Sequence, residues 1–157
     1  MNNLARTVNK VKNYPKWLLS FLIGRTVRFV GTAGISFEEM TTERVVASIE
    51  NKPKNRNHIG QIHAAAMILL AETATGMLVG MNIPDNKIPL IKSIKTNFVR
   101  RSLGGMTAVA TITEEQKALI KTQDKGETLI IVSVTDESGQ APIECEMLWA
   151  WITKKAK

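Results

Sequence analysis

From Ile62 to Met81 the chain carries one charged side chain, Glu72, in an otherwise apolar run. The run is apolar on every side, so it reads as a helix surrounded by protein. Glu72, Thr73 and Thr75 interrupt it, which points to a core helix and away from a stable membrane span. A carboxylate in such a helix is costly unless it is paired or put to use. The remaining segments must wrap this helix.

With 157 residues the chain suits one domain. Residues 2–23 read as a basic amphipathic helix packed on that domain, broken or restarted at Pro15. Segments 25–37 and 44–50 read as strands, the first bent at Gly31 and Gly34. Beyond the central helix, 87–101 and 105–112 read as two strands joined by the Gly104-Gly105 turn. Thr113 and Gln116 form a capping pattern for a short helix over 113–121. Segments 127–136 and 142–153 read as strands across the hairpin turn Glu137-Ser138-Gly139-Gln140. In the last strand Ile143, Cys145, Met147, Trp149 and Trp151 alternate with Glu144 and Glu146. No β-α-β unit repeats, so the expected class is α+β, a mostly antiparallel sheet curled around one helix.

Ahead of the helix lies Asn57-His58-Ile59-Gly60-Gln61-Ile62-His63, a polar loop with both histidines of the chain. The Asn57 amide, the two imidazoles and the backbone N–H groups at the helix start are all able to bind a carbonyl. Those N–H groups lack intrahelical partners and sit at the positive end of the dipole, where a developing oxyanion is stabilised. Glu72 lies eight residues beyond Ala64, about 12 Å along the axis. One substrate carbonyl cannot touch both the Ala64 N–H and the Glu72 carboxylate of the same helix. Two such helices antiparallel across a two-fold axis bring the start of one to the middle of the other. The spacing therefore points to a site shared between two subunits. Desolvation should raise the Glu72 pKa, as suits a general base, and the same carboxylate is also able to attack as a nucleophile. The plainer reading makes Glu72 a structural carboxylate and His63 a helix cap.

The spacing of His58, His63 and Glu72 matches no zinc signature, and there is neither a G-x-S-x-G elbow nor a Walker loop. No metal site is expected. Cys145, the single cysteine, falls on an apolar strand face and reads as core. The formal net charge is +7, and no acidic residue precedes Glu38, whereas Arg6, Lys10, Lys12, Lys16, Arg25 and Arg28 do. Aromatics are only 5% and are not interleaved with a basic stretch, so nucleic acid is not expected as a partner. Trp17 to Ile23 is too short for the apolar region of a secretory signal.

Asn57-x-x-Gly60-x-x-His63-Ala64-Ala65 followed by Glu72 resembles the signature of the hotdog-fold thioesterases, especially their phenylacetate-pathway-like branch. Arg56-Asn57-His58-Ile59-Gly60 and Asn97-Phe98-Val99-Arg100-Arg101 resemble an uncharacterised bacterial subfamily of that group. The resemblance covers about residues 20–153. It implies a hotdog domain over 24–157 behind the basic helix at 1–23, in a cytoplasmic homodimer or dimer of dimers. The implied activity is hydrolysis of an acyl-CoA or acyl-carrier thioester, with the thioester as substrate and no further cofactor. Residue by residue, Asn57 is the loop asparagine, Ala64 supplies the oxyanion N–H, and Glu72 is the general base or nucleophile. His58, Gly60 and His63 belong to the substrate-binding loop. Arg100 and Arg101, with Lys92 and Lys95, either meet CoA phosphates or form a solvated strand face. Alanine stands at 64 and 65 where family members carry glycine, and Ser93 is the hydroxyl available after the helix to orient water. The alanines keep open a non-catalytic acyl-CoA-binding or sensing protein. The spacing of His58 and Glu72 also fits an enoyl-thioester dehydratase or hydratase, but Ile59 to Ala71 lacks the proline-rich loop of those enzymes.

Overall fold

The computed structural model describes residues 1–154. Its helices are α1 (Asn3–Val11), α2 (Lys16–Thr26), α3 (Arg28–Ala33), α4 (Ala64–Asn82) and α5 (Glu114–Thr122). Its strands are β1 (Ser36–Met40), β2 (Arg44–Ile49), β3 (Lys87–Phe98), β4 (Met106–Thr111), β5 (Lys125–Asp136) and β6 (Ile143–Thr153). They form one sheet in the order β1-β2-β4-β5-β6-β3, antiparallel at every pairing. α4 lies on the concave face of this sheet, the hotdog arrangement of a helix in a curled sheet.

The concave face explains the close fit. Ala47 and Ala108, opposite one another on β2 and β4, and Ala110, opposite Val45, are fully buried, and their small side chains leave room for α4. From the helix, Leu70, Ala71, Ala74 and Leu78 fill that space without exposure. Farther along, the β6 alternation read from the sequence turns Ile143, Met147 and Trp149 inward. The Trp149 indole N–H donates to the Thr75 hydroxyl at 3.0 Å, fixing the ring against α4. Trp151 forms a smaller cluster with Ile83 and Ile120 under α5.

The break read at Pro15 forms: α1 and α2 are separate helices, because Pro15 lacks the amide proton a continuous helix needs and instead starts α2. Two other local readings are corrected. The strand read over 25–37 is a helix, α3, followed by β1. Its glycines are helix devices. Gly31 lets α3 close on α2, where an added Cβ would stand 2.6 Å from the Gly24 carbonyl oxygen, and Gly34 ends α3 at φ +72°. The strands on either side of Gly104-Gly105 do not pair with each other. β3 takes the sheet edge beside β6, while β4 lies between β2 and β5. The hairpin turn before β6 and the Thr113/Gln116 capping box form as read.

Two long-range ties close the C-terminal ends of helices, one at α4 and one at α5. Asn2 caps α1 through its side-chain oxygen, and its amide donates to the Gly80 and Ile83 carbonyls. At the start of β3, Lys87 is buried and its ammonium donates to the carbonyls of Ile120, Lys121 and Gln123 at 2.9, 3.0 and 2.7 Å. All three of its protons therefore close the C-terminal end of α5.

Gly76 is where α4 meets Trp149, and a Cβ there would stand 2.8 Å from Cη2 of the ring. Because the indole is tethered to Thr75 it has little freedom to retreat. Gly76→Val is expected to cost about 1–3 kcal/mol of stability, measured by urea unfolding, as overpacking does in a filled core.

Candidate functional site

The loop before α4 is built on amides. Asn57 folds it into a tight turn, its side-chain oxygen accepting from the Ile59 and Gln61 N–H groups at 3.0 and 3.1 Å. Gly60 completes the turn at φ +77°, a conformation glycine adopts without strain. Below the turn, Asn55 is the brace that the sequence reading missed. It is buried, its amide donates to the carbonyls of Ala33 and Glu50, and its own carbonyl accepts from the His63 N–H at 2.7 Å. One residue thus ties the end of α3 and the end of β2 to the residue that caps α4. Only its place in an Asn-rich loop hinted at this.

His63 is the N-cap of α4, its Nδ1 accepting from the Ala65 N–H at 3.1 Å. The Ala66 and Met67 N–H groups are satisfied by the His63 carbonyl. Among the described residues this leaves the Ala64 N–H without an acceptor, on an exposed residue at the positive end of the helix. His58 is exposed at the loop tip. A cavity of about 200 Å³ opens beside this end of α4, between Phe29 and Thr32 of α3, Lys54, His63 and Leu69.

α4 is not covered on every side. Ala65, Leu69, Glu72 and Gly76, at helical spacing, form a partly exposed stripe. Trp149 and β6 border the stripe near Gly76. Glu72 sits at its centre, half-buried, and burial pushes its pKa above the ordinary carboxylate range. No hydrogen-bond or ion-pair partner meets this carboxylate among the described residues.

The remaining candidates separate. Arg100 is committed to structure: its guanidinium donates to Asp136 Oδ2 at 2.6 Å, Ser138 Oγ at 2.7 Å and the Arg101 carbonyl at 2.6 Å. Burial would raise the Asp136 pKa, but hydrogen bonds from Ser138, the Leu103 N–H and Arg100 outweigh it and hold it at about 2. Arg101 is exposed, and Lys92 and Lys95 pair with Glu127 and Glu146 on the sheet. Ser93 is opposite Leu148, on the face turned away from α4. The hydroxyl on the concave face of β3 is Thr96, opposite Cys145 with its oxygen 3.7 Å from the sulfur. The β6 alternation, read across the pairing register, is the signal that picks Thr96. Burial raises the Cys145 pKa, in keeping with its place against the core. A larger cleft, about 590 Å³, lies at the other end of α4 among Met81, Asn82, Glu43 and Lys117 and contains none of these residues.

Residues 15–152 match a family model described as a domain of unknown function, DUF4442. A protein of unknown function from Pseudomonas aeruginosa, PA5026, called a probable thioesterase, is 25% identical. Its fold agrees at a TM-score of 0.79 over 89% of this chain and 97% of that one. The thioesterase HI1161 of Haemophilus influenzae is similar at 0.68, with 17% identity over 90% of this chain and 92% of its own. The Staphylococcus aureus thioesterase SAV0944, solved as a mutant, is similar at 0.65, with 20% identity over 80% and 98%. No curated protein matches the sequence.

Removing the brace tests this construction. Asn55→Ala strips the buried Ala33 carbonyl of its donor, leaves the Glu50 carbonyl only the Lys52 N–H, and is expected to cost about 1–3 kcal/mol in chemical unfolding. Amide exchange over residues 57–66 is expected to rise with it.

Proposed function

The chain belongs to the DUF4442 family and has the hotdog fold, and from that premise we propose that it hydrolyses an acyl-CoA or acyl-carrier thioester at a site shared by two copies. The observation that carries this reading is Glu72, a desolvated carboxylate with no partner among the described residues, on the uncovered stripe of α4. A second copy laid antiparallel over the stripe brings its own α4 start toward Glu72, which answers the distance of about 12 Å within one helix. β3, on the sheet edge, offers its free edge to extend the sheet into that copy.

In this reading Glu72 takes a proton from water as the water attacks the thioester carbonyl. The oxyanion of the tetrahedral intermediate is met by the partner's Ala64 N–H, and collapse expels the thiolate, which the protonated Glu72 reprotonates. The Asn57 amide nitrogen, free of the turn that its oxygen maintains, orients the carbonyl. His63 holds the N-terminus open by taking the next N–H, and Gly60 shapes the loop. The likeness to thioesterases favours hydrolysis over a dehydratase. The binding-only alternative keeps one specific support, the alanines at 64 and 65.

Glu72→Gln decides between them. It is expected to lower the rate of CoA release by about 10²–10⁴-fold, the usual contribution of a general base, with substrate affinity retained. Turnover by Glu72→Gln equal to wild type would sink the base role. Binding by a wild type that hydrolyses no acyl-CoA would establish the sensor. The rate should rise with pH through the elevated Glu72 pKa. A carboxyl whose folded pKa is raised penalises the folded state once pH exceeds the unfolded value. Glu72→Gln is therefore expected to raise the Tm near neutral pH, the gain vanishing below the ordinary carboxylate range.

Of Lys92, Lys95, Arg100 and Arg101, Arg101 is the one exposed with no carboxylate partner among the described residues. Arg101→Glu is expected to raise KM for acyl-CoA without moving the Tm. An unchanged KM removes Arg101 from phosphate binding.

A further inference from the structure

We infer that the hairpin of α2 and α3 is a docking surface for an anionic lipid bilayer. On α2, Trp17, Phe21 and Arg25 follow one another at four-residue spacing and form one stripe. Leu19 and Ile23 face the other way, into the core. Trp17 is 67% exposed, Phe21 53% and Phe29 of α3 64%, with Leu22 and Val27 each 38% exposed beside them. Gly24 and Gly31 hold the two helices in close contact, so the exposed side chains of the hairpin keep a fixed relation to one another. The sequence alone spaces the aromatics too widely to interleave with the basic residues, and the hairpin brings them together. Arg25 lies over the Phe21 ring, 5.8 Å from its centroid.

The exposed charge on α1, α2 and α3 is basic. Lys10, Lys12, Arg25 and Arg28 are exposed and have no carboxylate within 4.0 Å among the described residues. Lys16 reaches only Glu38, at 3.9 Å. Trp and Phe flanked by Lys and Arg are the composition of helices that lie in the headgroup boundary of anionic membranes. The aliphatic Leu22 and Val27 add nothing to base stacking but do partition into that boundary, which favours lipid over nucleic acid. A second copy is the poorer occupant, because a two-fold contact on this face sets Arg25 and Arg28 against their own equivalents. The inference does not depend on the chemistry at Glu72.

Trp17 is its own reporter, because the other two tryptophans, Trp149 and Trp151, are 5% and 0% exposed. The full chain is mixed with phosphatidylcholine vesicles, with and without phosphatidylglycerol, and followed by co-sedimentation and emission. Binding and a blue shift are expected only with phosphatidylglycerol. Both should be lost at about 1 M salt, where the Debye length is about 3 Å. Trp17→Ser with Phe21→Ser is expected to weaken binding at least about tenfold through the lost apolar burial. Arg25→Ser with Arg28→Ser should weaken it about 25-fold, at about fivefold per cation. These side chains are exposed, so both variants should keep the wild-type Tm. Absence of binding, equal binding to neutral vesicles, or binding untouched by Trp17→Ser with Phe21→Ser overturns the inference. Duplex DNA bound as tightly as the anionic vesicles overturns it in favour of nucleic acid. Self-association that the same serine pair abolishes overturns it in favour of a second copy.

Discussion

A helix with almost no polar side has to be enclosed, and the rest of the chain is arranged to enclose α4. The sheet covers one flank, and α1 and α3 cover another, α1 fastened through Asn2 to the far end of α4. What they leave open is the stripe from Ala65 to Gly76. Fully buried residues such as Leu70 and Leu78 contribute about 1.5–3 kcal/mol each. That surplus is large enough to tolerate one unpaired, half-buried carboxylate on the open stripe. Glu72 is thus a local expense carried by a well-packed helix, the pattern expected where a fold retains a group for chemistry instead of stability.

The start of α4 is held by a different kind of force. Apolar burial anchors the loop 55–63 at one residue, Ile62, which is fully buried in the core. Its shape comes from amides: Asn57 turning the chain on itself, Asn55 pinned to two distant carbonyls, and His63 capping the helix. Because every neighbouring N–H is taken, the Ala64 N–H is, among the described residues, left as the one open donor of those that begin the helix. The position of Asn55 between α3 and β2 means that the loop is registered against the sheet as well as the helix.

The central helix, the last two strands and the capped α5 were legible because each carries a pattern that one structure satisfies best: a long apolar run with a single charge, a β-branched run followed across a turn by an alternating one, a reciprocal cap. The stretch from Arg25 to Phe37 was not, since Val27, Phe29, Ile35 and Phe37 look like strand residues. Gly31 and Gly34 serve helix packing and helix termination as readily as a bulge. The partner of β3 was also hidden, because a short glycine turn suggests a hairpin while the sheet order depends on contacts remote in sequence. At the site, Asn57, His63, Ala64 and Glu72 were visible as a motif. Asn55 and Thr96 were not, because each is defined by what faces it across the fold. Arg100 shows the reverse error: its charge suggested a ligand, and Asp136 claims it.

Lys87 gives the fold an unusual chemical asymmetry. Its amine has every proton engaged by the last carbonyls of α5 and little access to solvent. Of the three lysines on β3, Lys87 is held inside the fold, whereas Lys92 and Lys95 stand in water beside single carboxylates. A reagent that modifies exposed amines would therefore meet Lys92 and Lys95 well before Lys87, and such surface chemistry leaves the closure of α5 alone.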